Sequence, residues 1–312
     1  MAFSFRKRAT ASVGLDIDGS FLAAALVDGG SIGRVASADL DAGVASDGEV
    51  KDPSALSSAL KELFRRHDLP RNVHLGVANQ QIVVRHLDMP LIKDEAEREA
   101  AVRFQAAETI AMPLEEAVLD FQTVGASEGP DGVTRERLLV VAARESMISQ
   151  LIAAVKGAGL KPQGIDLNAF ALVRMLGGGA GSEDTGGPAR VICHLGGVTN
   201  LAIAAGSMCV FTRPLRTVWS AQDEDAAASL AEEIRLSIDF HMAQPDARPV
   251  RQVVLSGPGA ADGRLATELG SVSGLEVAVG DPLGELGAHT VPSHDDPYRY
   301  TVAAGLALGA TA

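Results

Sequence analysis

The sequence predicts an α/β protein made of two similar halves that face each other. The first observation is a repeated hairpin, Val13-Gly14-Leu15-Asp16-Ile17-Asp18-Gly19-Ser20 and Val191-Ile192-Cys193-His194-Leu195-Gly196-Gly197-Val198-Thr199-Asn200. In each, a short apolar strand enters a tight Gly turn with hydroxyls and leaves as a second apolar strand, Phe21 to Val27 or Leu201 to Ala205. The second observation is their spacing, more than half the chain. The third is that period-2 apolar runs alternate with 3.6-period runs in both halves, the mark of mixed α/β structure.

Each element has its own signal. Strands are expected at 12–18, 21–27, 33–39 and 73–78, separated by Gly turns. The helix at 53–67 opens at Asp52-Pro53-Ser54 and carries Leu56, Leu60, Leu63 and Phe64 on one face. Residues 81–143 read as an insert subdomain. It has a strand at Ile82-Val83-Val84 ended by Met89-Pro90, and a helix from about Lys93 to Ile110 with Ala96, Ala100, Phe104 and Ala107 as its apolar stripe. Strands at 117–124 and 137–143 flank a Gly/Asp/Glu-rich loop at 126–134. The first lobe resumes at 144–184 with a helix (145–158), the stretch Lys161–Leu167, a short helix (168–175) and the Gly-rich acidic linker Gly177–Gly187. The second lobe, 185–312, repeats three strands (189–194, 199–205, 208–213), a long helix (222–244) with Asp223-Glu224-Asp225 at its start, and the strand Val253-Val254-Leu255. Ser256-Gly257-Pro258-Gly259 then turns into a helix, and another closes the sequence near 299–310.

Composition narrows the function. With 27 basic against 40 acidic residues the net charge is −13, which excludes broad capture of nucleic acid through phosphate neutralisation. No apolar run reaches the roughly 18 residues of a membrane span. The opening Met1-Ala2-Phe3-Ser4-Phe5-Arg6-Lys7-Arg8 lacks the apolar core of a secretory signal and reads as a solvated tail, so a cytoplasmic protein is expected. Cys193 and Cys209 sit in apolar runs without a second ligand at metal spacing and read as small core side chains. His289, His294, Asp295 and Asp296 read as a solvated loop. The opposed Gly turns offer backbone N–H groups that can close on a nucleotide's phosphates from both sides.

The chain resembles the PilM family, actin-like proteins of the type IV pilus inner-membrane platform related to the division protein FtsA. The matching runs are Gly14-Leu15-Asp16-Ile17, Met112-Pro113-Leu114-Glu115-Glu116-Ala117-Val118-Leu119-Asp120-Phe121-Gln122, Val141-Ala142-Ala143-Arg144, Ala158-Gly159-Leu160-Lys161-Pro162, Ile165-Asp166-Leu167-Asn168-Ala169-Phe170-Ala171-Leu172, and Asp239-Phe240 before Leu255-Ser256-Gly257-Pro258-Gly259. The hairpins alone indicate only the wider actin and sugar-kinase fold. The resemblance implies a duplicated actin-like, ribonuclease-H-like fold of two lobes around a nucleotide cleft, with a small α+β insert on the first lobe. It also implies docking of the N-terminal tail of PilN, a membrane-spanning partner, in a groove involving that insert.

Carried onto this sequence, the resemblance makes Asp16 the residue that orients Mg²⁺ through water. Gly19 and Ser20 would contact phosphate from the first turn, and Gly196, Gly197 and Thr199 from the second. Glu233, rather than its neighbour Glu232, would bond the ribose, and Ser256, Gly257 and Gly259 would form the adenosine turn, with a helix N-terminus beside it. Two departures stand out. Asp18 replaces the usual Gly, and a second carboxylate near phosphate is repulsive by about 1 kcal/mol at about 4 Å in water and about 4 at an effective dielectric of 20. His194 stands where the family has Asp, and neutral imidazole offers no charge to hydrated Mg²⁺.

The expected function is therefore a pilus-assembly scaffold that binds ATP with Mg²⁺ weakly and hydrolyses it poorly or not at all. Its partners would be the PilN-like tail and pilus ATPases, with self-association open, and it would lie peripheral to the inner membrane through its partner. The alternatives are a phosphotransferase or ATPase of the same fold, such as a sugar kinase, and an FtsA-like filament or tether. The first needs a second-lobe carboxylate where His194 stands. The second needs an amphipathic anchor, for which Ala303–Ala312 shows no basic face.

Overall fold

The computed structural model describes residues 12–28, 31–128, 132–177, 187–244, 247–282, 284 and 296–310. The basic first residues, the linker over 178–186, and His289, His294 and Asp295 lie outside them. The chain divides into two compact units, Met1–Asn79 with Ala153–Ala312, and Gln80–Ile152.

The larger unit contains two five-stranded sheets of one design. In the first, β1 (Ser12–Ile17) pairs antiparallel with β2 (Phe21–Asp28), which pairs antiparallel with β3 (Ser31–Asp39). On its other side β1 runs parallel to β6 (Asn72–Val77), which runs parallel to β10 (Lys161–Leu167). In the second, β11 (Ala189–His194) has antiparallel neighbours β12 (Asn200–Ala205) and then β13 (Met208–Pro214). Its parallel neighbours are β14 (Val250–Ser256) and then β15 (Glu276–Val279). The strand orders β10-β6-β1-β2-β3 and β13-β12-β11-β14-β15 are mirror listings of one topology, so the hairpin repeat reflects a real duplication. The four-residue strand β15 and the short pair β4 (Ala45–Ser46) and β5 (Glu49–Val50) had no clear sequence signal.

Helices cover these sheets as their patterns require. In α1 (Pro53–Arg66), Asp52 caps the first turn by accepting from the Ser54 and Ala55 N–H groups, and Leu56, Leu60, Leu63 and Phe64 are buried. α4 (Asn168–Leu176) buries six of its nine residues. It lies against α7 (Thr301–Gly309), and α7 in turn covers β1 and β2. That packing is backbone-close: a Cβ on Gly305 would stand 2.6 Å from the Ala171 carbonyl carbon, nearer still to its oxygen. The second sheet's core joins Val191, Cys193, Leu201 and Ile203 to Leu230 and Ile234 of α5 (Ala226–Met242) and Leu265 and Leu269 of α6 (Gly263–Ser273). Burial pushes both thiols, Cys193 and Cys209, up to about 12; Cys193 is a core packing residue, while Cys209 is only partly buried.

Two helix expectations are corrected. α5 starts at Ala226 because Asp223 closes a turn first, its side chain accepting from the Asp225 N–H and its carbonyl from the Ala226 N–H. Asp225 holds the cap position without a side-chain bond. α6 starts at Gly263, after a turn over 257–261, with Asp262 capping the Arg264 N–H.

The smaller unit is one helix on a three-stranded antiparallel sheet, ordered β7 (Val83–Pro90), β9 (Thr134–Arg144), β8 (Ala117–Glu128). The buried face of α2 (Glu95–Thr109) is Val102 and Ala106, not the expected Ala96, Ala100, Phe104 and Ala107; Phe104 is 70% exposed. Arg98 disguises the true stripe. It lies on the same face one turn before Val102 and donates two hydrogen bonds to buried Glu136, at 2.9 and 2.6 Å. Pairing in that geometry satisfies a carboxylate that burial would otherwise penalise. α3 (Glu145–Gly157) leads back to the larger unit.

Candidate functional site

Both Gly turns leave the C-terminal ends of the first strands of their sheets, where sites of open α/β sheets form. Gly19 has φ +111, a conformation that reserves this turn position for glycine. Asp16 is 1% exposed, and its carboxyl is raised well above the usual range, first by burial and then by the charge of Asp18. Its Oδ1 faces the Asn168 side-chain amide at 3.5 Å, while Asp16 Oδ2 and Asn168 Oδ1 are buried without a protein partner. Asn168 is the first residue of α4 and fits there because a Cβ on Gly76 would strike it. Sequence reasoning quoted Asn168 only within a run that carries the family resemblance and gave it no role at the site.

The second turn is in contact with the first. The Gly197 N–H donates to Asp18 Oδ2 at 2.7 Å, and Ser20 Oγ donates to Asp18 Oδ1 at 3.2 Å. Side chains on Gly196 or Gly197 would collide with Asp18, the first with its carboxylate and the second with its backbone. Burial raises the Asp18 carboxyl, opposed by those hydrogen bonds and by the Arg299 charge. Thus the glycines expected to admit phosphate admit Asp18. Thr199 is fully buried, and its Oγ1 has no protein partner.

His194 is buried in a hydroxyl relay. Ser256 Oγ donates to Thr301 Oγ1 at 2.8 Å, and Thr301 donates on to the Tyr298 carbonyl at 3.0 Å. With its own proton committed, Ser256 Oγ accepts from His194 Nδ1 at 3.3 Å, which assigns the imidazole proton to Nδ1. Nε2 is then a bare acceptor, buried without a protein partner. Burial drives the His194 pKa down to about 4, so the ring is neutral near pH 7.

The residues expected at ribose and base are engaged in the same way. Glu233 accepts from the Arg216 and Thr217 N–H groups at 3.0 Å each and from Thr217 Oγ1 at 2.7 Å, pinning the segment after β13. Burial raises its carboxyl, but these bonds and the Arg213 charge outweigh it and leave the pKa lowered. Glu232 points outward and pairs with Arg235. Gly257 has φ +87 and packs against Leu195. Gly259 lies under the Trp219 indole: a Cβ there would be 2.5 Å from Nε1 and closer to Cδ1. The Arg264 guanidinium lies over that ring at 5.2 Å from its centroid. Arg264 also pairs with Asp262, so the N-terminus of α6 already has its own anion. Glu233→Ala should cost about 2 kcal/mol in urea unfolding, because two backbone donors lose a charged acceptor; an unchanged midpoint would refute this anchoring role.

As arranged, the site fits a nucleotide in part. Asp16 and Asn168 present hard oxygens suited to hydrated Mg²⁺. The residues expected to contact phosphate, ribose and base are instead engaged by Asp18, by the 216–217 backbone and by Trp219. Among the described residues no group of three His, Cys, Asp or Glu is placed to hold a metal ion. None of their helices is long and apolar enough to cross a membrane.

Comparison with known structures supports the architecture. The chain is similar to one in a PilM-PilN type IV pilus biogenesis complex, at TM-score 0.79 and 23% identity over 97% of this chain and 99% of that one. It is also similar to the ethanolamine utilization protein EutJ of Carboxydothermus hydrogenoformans, at TM-score 0.54 and 14% identity over 95% and 88%. The cytoplasmic domain of EpsL, an inner-membrane component of the type II secretion system of Vibrio cholerae, matches at TM-score 0.52 and 10% identity over 96% and 95%. The duplicated sheets are thus the actin-like fold. The family model for type IV pilus assembly protein PilM matches residues 20–213, well over half of the sequence. The chain belongs to the PilM family of type IV pilus assembly proteins.

Proposed function

We propose that this protein is a type IV pilus assembly scaffold that binds the N-terminal tail of a PilN-like membrane protein. That partner would hold it, as a cytoplasmic component, at the inner membrane, within reach of the pilus ATPases. The observation that carries the reading is family membership together with a likeness spanning 97% of the chain to a PilM-PilN complex. The insert unit supports it: β7 and β8 are the outer strands of their sheet, and an unpaired strand edge accepts an extended peptide by backbone pairing.

In this reading the work is docking, not turnover. Affinity for ATP is weakened because Asp18, the 216–217 backbone and Trp219 must first give way before Asp16 can orient Mg²⁺, Gly19, Ser20, Gly196, Gly197 and Thr199 reach phosphate, Glu233 reach ribose, and Ser256, Gly257 and Gly259 reach adenosine. His194, neutral and hydrogen-bonded to Ser256, supplies no acidic group to hold metal-bound water. Calorimetry with a synthetic PilN tail from the same genome should give saturable one-to-one binding, and phosphate release from ATP should stay at the level of Asp16→Ala. Absence of tail binding sinks the adaptor reading. Brisk phosphate release that is lost in Asp16→Ala favours a phosphotransferase or ATPase.

A further inference from the structure

We propose that Asp18 is a built-in occupant of the phosphate position, a clasp that closes the two Gly turns on each other without nucleotide. The inference deepens the reading above and rests on its assignment of these turns to phosphate.

The geometry departs from simple charge repulsion. A carboxylate that merely stood near the phosphates would leave the second turn's donor open. Here Asp18 Oδ2 takes the Gly197 N–H at 2.7 Å, a charge-assisted bond of the kind a phosphoryl oxygen would make. The other oxygen is held by Ser20 Oγ, itself an expected phosphate contact. Gly196 and Gly197 lie so close to Asp18 that neither could carry a Cβ, so the turns abut. A phosphoryl group can reach the Gly197 N–H only by displacing this carboxylate. The nucleotide's structural work in such a fold, bridging the two sheets through their turns, is then done by one side chain. Docking of a partner would not require ATP.

The test separates occupancy from repulsion, because asparagine keeps an acceptor oxygen for Gly197 while losing the charge. Wild type, Asp18→Ala and Asp18→Asn are compared as full chains by calorimetry with ATP·Mg²⁺, by exchange of the Gly197 amide, and by tail-peptide binding. The clasp predicts that Asp18→Ala tightens nucleotide binding roughly tenfold to a hundredfold, the value of one charge-assisted hydrogen bond, and accelerates exchange at Gly197. It predicts that Asp18→Asn, whose neutral oxygen keeps a weaker bond, tightens nucleotide binding at least several-fold less than Asp18→Ala and leaves Gly197 exchange within a few-fold of wild type. Equal tightening in both variants would mean repulsion alone and overturn the clasp, as would no tightening in Asp18→Ala. A Gly197 amide that exchanges freely in wild type would overturn it without any variant, should Asp18→Ala fail to fold. Tail binding on the same samples reports on the adaptor reading separately: it is expected in all three, and its loss in wild type condemns that reading while leaving the exchange result to judge the clasp.

Discussion

Gly305→Ala should destabilise the protein by about 3 kcal/mol, measured as a shift of the urea midpoint at unchanged slope. The added methyl would meet backbone, the Ala171 carbonyl of α4, not the far end of a flexible side chain. α4 cannot retreat, since Ala171 and Leu172 are fully buried. Helices this close are held by small residues at the contact, and on the opposite face of α7 the Ala303 and Ala307 backbone is equally close to Gly14 of β1. Ala substitution at Gly263, where nothing lies within 4 Å of a built Cβ, is the matched control and should stay within about 1 kcal/mol of wild type. A Gly305→Ala protein as stable as that control would show that α7 stands further from α4.

The second large effect is set by pH. Folded His194 titrates at about 4, against about 6.5 for an exposed histidine. Its folded pKa is depressed, so below about pH 6.5 the unfolded chain binds a proton that the folded chain refuses. Stability is therefore full above that pH and falls as pH drops toward 4, by roughly 3 kcal/mol in all. The raised carboxyls of Asp16 and Asp18 act with the opposite sign, so the slope of the wild type alone does not isolate the histidine. The difference between wild type and His194→Asn does. Asparagine can donate to Ser256 as Nδ1 does, and it does not titrate. Urea midpoints at pH 7.5 and 4.5 should converge or cross, the wild type losing more on acidification. Parallel losses in the two proteins would refute the buried neutral ring.

The sequence was most readable where signals are local. α1 lies within a residue of its expected bounds because Asp52-Pro53 starts it and four apolar side chains share one face. The repeat of hairpins implied two equivalent sheets, and they have one strand order. Legibility failed where partners are distant. The α2 face was misjudged because its buried stripe includes Arg98, which is tolerated only through Glu136 on another element. Asp18 was recognised as anomalous, but the bond to Gly197 joins residues from separate halves, and nothing nearby in sequence marks it. Trp219 gave no signal at all. Its meaning comes from the Gly259 surface it covers and the Arg264 above it. Residue type thus nominated candidates, while long-range contacts determine what those residues are free to bind.

The placement of α7 has a consequence for biosynthesis. The helix that shields β1 and β2 is translated after nearly all the rest of the described chain. While the ribosome is still at work, the first sheet must wait with the face that carries Gly14, Ala23 and Ala25 uncovered, or borrow a chaperone's surface. Stop codons placed between residues 280 and 301 should therefore yield insoluble or rapidly degraded fragments, even though all the strands of both sheets are present in them.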